Sequence, residues 1–151
     1  MKTLSDLRGK QVIRDGKIVG RAVQGCLSDD LQALDGLWTD TGLTGIRFVS
    51  AEHVCVLGES AVIVDDKGEH LRMKPKPLMI RAADASGRRI GAVVDALLDE
   101  TTLTVEALIL SKGFWDDLRF GRTSVVRFQN DFTAHRVIVE LPDDEKEVKR
   151  E

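Results

Sequence analysis

Ile90-Gly91-Ala92-Val93-Val94-Asp95-Ala96-Leu97-Leu98-Asp99 decides how this chain is read, because a weaker copy, Val19-Gly20-Arg21-Ala22-Val23-Gln24-Gly25-Cys26-Leu27-Ser28, stands 71 positions before it. Each copy follows a Gly-containing turn, Arg14-Asp15-Gly16-Lys17 in one case and Asp84-Ala85-Ser86-Gly87-Arg88 in the other. A repeat at fixed spacing speaks to architecture before any local propensity does. In the later copy Ile90, Ala92, Val94, Ala96 and Leu98 fall on one face of an extended strand, and Gly91, Val93, Asp95 and Leu97 on the other. Both faces are largely apolar, which predicts a central strand covered on both sides or bent by a bulge. Ala and Leu would also suit a helix, but the run is short and the earlier copy carries Gly20 and Gly25, which decides for a strand.

Outward from the repeat, Asp15-Gly16 predicts a tight hairpin turn between Gln11-Val12-Ile13-Arg14 and the first copy, since both residues tolerate positive φ. Ahead of it, Leu4 to Lys10 reads as a short turn that Ser5 caps and Gly9 ends. After the second copy, Val105, Ala107 and Ile109 alternate against Glu106, Leu108 and Leu110, a strand pattern that continues a meander. Each half closes on a β-branched strand, Ala61-Val62-Ile63-Val64 and Arg136-Val137-Ile138-Val139-Glu140-Leu141. Between the halves, Pro75 and Pro77 sit in a polar stretch and cannot donate to a sheet. The prediction is an all-β chain: two small, mostly antiparallel β-barrels in tandem, residues 1–66 and 78–142. A Pro-containing linker, 67–77, joins them, and a charged tail, 143–151, is expected to be solvated and disordered.

Leu4-Ser5-Asp6-Leu7-Arg8-Gly9-Lys10-Gln11-Val12-Ile13, then Asp15-Gly16-Lys17-Ile18-Val19-Gly20, then Gly58-Glu59-Ser60-Ala61-Val62-Ile63-Val64, together resemble a PRC-barrel domain. Ser86 to Asp99 and the closing Val137-Ile138-Val139 resemble it a second time. That family includes the cytoplasmic part of the photosynthetic reaction-centre H subunit and the C-terminal domain of the ribosome-maturation factor RimM. The resemblance implies PRC-barrel-like folds and a non-catalytic module that binds other proteins. A ribosome-maturation or RNA-processing role, or a small-ligand or metal-binding barrel, is the alternative. Gln24 in the first copy stands where the second has Asp95, so the two halves differ at one chemically unusual position.

Net charge is −3 with acidic and basic residues nearly balanced. No basic face supports direct contact with nucleic acid, whose affinity comes mainly from neutralising phosphates. No long apolar run predicts membrane insertion and no leader is read at the N-terminus, so the expected location is cytoplasmic. Cys26 and Cys55 are expected as small buried hydrophobes rather than a disulfide.

Candidate chemistry is sparse. His53 and Cys55, two apart beside Glu52, share a side on an extended segment, but two ligands do not make a zinc site. Asp29-Asp30, Asp65-Asp66 and Asp116-Asp117 lack calcium-loop spacing and read as solvated loops. Gly87 to Gly91 opens no helix in a βαβ unit and is not a dinucleotide fingerprint. Asp95, inside an apolar strand, needs hydrogen bonds or a cation such as Arg81 or Arg88. No catalytic residue, cofactor or metal is predicted. The contact prediction falls on Phe114, Trp115, Arg119 and Arg122, aromatic and arginine types that anchor interfaces, with a protein partner or a second copy of the chain as the expected occupant.

Overall fold

The computed structural model describes residues 2–141, without the side chains of Phe114, Trp115 and Phe120. The predicted tail lies outside the described residues. The chain forms two compact units, Met1–Pro77 with Leu97–Val105, and Leu78–Ala96 with Glu106–Glu151.

In the first unit, β2 (Gln11–Arg14), β3 (Lys17–Leu27), β4 (Leu34–Asp40), β5 (Ile46–Ser50), β6 (Val54–Leu57) and β7 (Ala61–Val64) make one sheet in the order β5-β4-β3-β2-β7-β6. Neighbours are antiparallel except β2 and β7, which run parallel and bring the last strand back beside the first. A second sheet, which lies in the second unit apart from Leu97, Leu98 and Val105, repeats this with β8 (Ile80–Ala83), β9 (Arg89–Leu98), β10 (Val105–Ser111), β11 (Thr123–Val125), β12 (Arg127–Asp131) and β13 (Arg136–Glu140), in the order β11-β10-β9-β8-β13-β12. Here β8 and β13 are the parallel pair. Each sheet curls into a half-barrel, so the all-β tandem architecture is as predicted.

The Asp15-Gly16 turn has the left-handed geometry read for it, with φ of 53° and 75°. At the N-terminus the capping differs from expectation. The 3-10 turn Ser5–Leu7 has no side-chain cap from Ser5; instead the Asp6 N–H donates to Thr3 Oγ1 at 3.2 Å and the Thr3 N–H donates to Asp6 Oδ2 at 3.1 Å. Thr3 is held there because β1 (Lys2–Thr3) pairs with Leu97 and Leu98. The turn then buries Leu4 and Leu7 completely against Gly25, where a methyl group would collide with the Leu4 side chain at 2.5 Å.

The long strands are bent, not flat. Along β9 the buried residues are Ile90, Val93, Asp95, Ala96 and Leu98, so the inward face changes parity twice. One change coincides with a register shift opposite Ala82 and Ala83, where Gly91 takes φ 151°. Gly91 also admits a close neighbour: an added Cβ would lie 2.5 Å from the Ser111 carbonyl oxygen. Gly20 does the same in the first unit, 2.3 Å from the Asp40 carbonyl. Both glycines and both carbonyls are 71 residues apart, so the repeat holds at the level of single backbone contacts.

Trp38 is core, as expected, with the Phe48 ring tilted against it at 5.0 Å between centroids. Cys26 and Cys55 are free thiols; Cys26 is half-buried, but Cys55 is exposed, against expectation, because the β6–β7 register shifts between Val54 and Val56 and turns it outward. The start of the predicted linker is stitched to β5: Glu69 and Phe48 exchange backbone hydrogen bonds at 2.8 and 3.0 Å, and Arg47 donates to the Gly68 carbonyl. Among the described residues no helix is long and apolar enough to cross a membrane.

Candidate functional site

The segment predicted for contact is not a loop. Between β4 and β5 the first unit needs only the 3-10 turn Gly42–Thr44, whereas the corresponding β10–β11 connection holds α1 (Phe114–Phe120). Gly113 before it and Gly121 after it take φ of 116° and 75°, values that favour glycine and let the chain turn sharply into and out of a single short helix.

Asp117 roots this helix on the end of β10. Its Oδ2 accepts the Ser111 hydroxyl at 2.6 Å and its Oδ1 accepts the Lys112 N–H at 3.1 Å, while Arg122 Nε lies 3.7 Å from Oδ2. The Ser111 hydrogen bond, followed by the Lys112 amide and Arg122, holds the Asp117 carboxyl below its ordinary range. Asp116, Leu118, Arg119 and Arg122 are exposed, Leu118 at 69%. Of the four predicted contact residues, Arg119 and Arg122 therefore sit on or beside an exposed helix, with Arg122 leaning on its root. Phe114 and Trp115 form its first turn, and their side chains lie outside the described residues. Sequence reasoning missed Asp117, grouping it with Asp116 as a solvated doublet; the only signal was Ser111 six residues earlier.

His53 does not partner Cys55 through its side chain. It follows β5 in a 3-10 turn, and its ring nitrogens lie 2.8 Å from Asp65, 3.6 Å from Glu52 and 3.6 Å from Asp66. The hydrogen bond to Asp65, then the charges of Asp65, Asp66 and Glu52, raise the His53 pKa above its ordinary value. With the Asp65 N–H donating to the His53 carbonyl at 3.0 Å, the cluster clasps the open ends of β6 and β7. Among the described residues no group of three His, Cys, Asp or Glu side chains is placed to hold a metal ion. Asp30, from another doublet, is spent on its own turn, accepting Ser28 Oγ and the Gln32 N–H.

Gln24 and Asp95 are both buried at the same place in their strands. Gln24 Oε1 accepts Arg8 Nε at 3.0 Å, whereas Asp95 Oδ1 accepts the neighbouring Ala96 N–H at 2.9 Å. In the second unit a groove of about 730 Å³ runs between the Asp84–Arg88 turn and β12–β13, with Arg88, Arg127 and Glu140 at its polar parts and Phe128, Ile138 and Leu141 at its apolar ones. The chain matches no protein-family model and no curated protein sequence.

Proposed function

We propose that this chain is a non-catalytic, protein-binding adaptor of the PRC-barrel kind, with α1 and its flanks, Phe114 to Arg122, as the contact segment. The carrying observation is that the second copy replaces the short β4–β5 turn of the first with a rooted helix whose Leu118 and Arg119 face solvent. A side chain as large as leucine, exposed on an element anchored by Asp117 to the sheet, offers a pre-organised surface that loses little entropy on binding. Aromatic and arginine neighbours are the residue types that dominate interface energetics. Balanced charge and a half-barrel core filled by its own aliphatic side chains support an adaptor over an RNA-binding factor.

The test is affinity purification with the full chain and with Leu118→Asp/Arg119→Glu, both exposed positions that leave the core intact. The adaptor reading expects one or a few proteins recovered with the parent chain and lost with the variant. An identical set of recovered proteins from both would refute α1 as the contact.

A further inference from the structure

In the first unit, the turn between β6 and β7 draws two lysines to one carboxylate. Lys2 Nζ donates to Glu59 Oε1 at 3.1 Å, and Lys10 Nζ donates to the carbonyl of the preceding residue, Gly58, at 2.8 Å. Two neighbouring acceptors thus bring both amines to the same place, where they meet. Lys2 reaches it from β1, which pairs with Leu97 and Leu98, and its side chain is only 6% exposed. Lys10 reaches it from the residue before β2. Its N–H donates to the Leu7 carbonyl at 3.3 Å and its carbonyl accepts the Ala22 N–H at 2.8 Å, so the root of its side chain is fixed.

The two amines do not have equal partners. Lys2 has the carboxylate, which favours its ammonium form, whereas Lys10 has a neutral carbonyl that a neutral amine can bond as well. Two adjoining ammonium groups repel, and the one without a carboxylate is the one that gives up its proton. The other charges that face Lys10 are Asp6, on the 3-10 turn, which accepts the Thr3 N–H, and Glu59, which is engaged with Lys2. Burial, then the charge of Lys2 and contact with it, hold the Lys10 amine below its ordinary pKa, while the Glu59 bond raises that of Lys2. A lysine partly out of water beside a second cation is the arrangement that makes an amine nucleophilic near neutral pH. Lys10 is half-buried and Glu59 and Ser60 beside it are exposed, so a small electrophile reaches it from solvent.

We propose that Lys10 is an acylation site that takes its acyl group from a small acyl phosphate. The Nζ lone pair attacks the acyl carbon and the C–N bond forms as the C–O bond to phosphate breaks. Phosphate leaves with that electron pair and takes up the proton the amine loses, so no further reactant is required. The amide still has an N–H for the Gly58 carbonyl but carries no charge against Lys2, and the step relieves the repulsion that favours it.

The experiment is brief treatment of the folded full chain with acetyl phosphate at neutral pH, with the acetylation of each lysine followed by mass spectrometry of its peptides. Lys10 reacts about threefold or more faster than Lys17 and Lys76, two exposed lysines outside the cluster, and loses that lead when the chain is unfolded in guanidinium. Lys2→Met keeps the aliphatic stem, removes the second cation and frees Glu59 for Lys10, so the Lys10 rate falls about threefold or more. Lys2→Arg restores both the cation and the partner of Glu59, and the rate returns to that of the parent. Circular dichroism confirms that both variants fold. A Lys10 that reacts no faster than Lys17 and Lys76 in the folded parent overturns the proposal. So does a Lys10 rate that is the same in Lys2→Met and Lys2→Arg.

Discussion

Gly20→Ala puts a methyl group 2.3 Å from the Asp40 carbonyl oxygen and 3.0 Å from both the Asp40 carbonyl carbon and the Thr39 methyl. Carbon–oxygen contacts settle at about 3.3–3.6 Å, so β3 and β4 must part by about 1 Å at this point. They are poorly free to do so. Arg21, next in the chain, pairs with Asp40, and Gly20 itself pairs with Val12 on the other side, so β3 is held from both edges. The obstacle is backbone, which cannot rotate away as a side chain would. Overpacking of this kind costs about 1–3 kcal/mol. The gain from a stiffer unfolded chain, about 0.4–1 kcal/mol, offsets part of it, because Gly20 does not occupy the positive-φ region. The net expectation is a loss of about 1–2 kcal/mol, or roughly 4–16 °C in the melting of a unit this size. Urea and thermal unfolding followed by circular dichroism and Trp38 fluorescence measure it. Gly91→Ala should cost more, since it adds an unfavourable φ of 151° to a 2.5 Å contact with Ser111. If Gly20→Ala shifts stability by less than about 0.5 kcal/mol, the close approach of β3 to β4, and with it the backbone-level repeat, is refuted.

The raised His53 pKa makes its contribution full below the unfolded value of about 6.5 and lost as pH rises through the higher folded value. Urea midpoints taken from about pH 5 to about pH 9 should therefore fall through that window, and His53→Gln should flatten the fall. Asp117 has the opposite sign: its depressed pKa gives stability that is present above the unfolded carboxylate range and lost as pH drops through the folded value. Asp117→Ala should speed protease cleavage between Ser111 and Thr123 severalfold while leaving the far-ultraviolet spectrum of the sheets unchanged. Trp38→Ala empties a buried site beside Phe48 and should cost about 3–5 kcal/mol in urea unfolding.

The strands were legible wherever a local rule sufficed. Asp15-Gly16 has the turn its residue types require, β10 and β13 follow their β-branched alternation, and β3 and β9 were recognised through each other. The helix was not legible, because Phe114 to Phe120 is too short for a 3.6-residue period to show between two glycines. Cys55 is exposed through a register shift that no pattern within Val54-Cys55-Val56 announces. The candidate contact segment was located by residue type alone. Its root, Asp117 with Ser111, is invisible until the chain turns back at Gly113 and sets the carboxylate on the end of β10.

By itself the sequence determined that this chain is a duplicated β structure, because periodicity, turn residues and internal repetition act over a few neighbours and survive in the linear order. The parallel closing pairs, β2 with β7 and β8 with β13, join segments about 50 residues apart. Lys2, Lys10 and Glu59 likewise meet only because three separate stretches are set side by side by the pairing of β1 and of β2 with β7. Tertiary structure decided those features because strand pairing is non-local: a shift of one residue would turn the core side chains, and Lys2 with them, out to solvent.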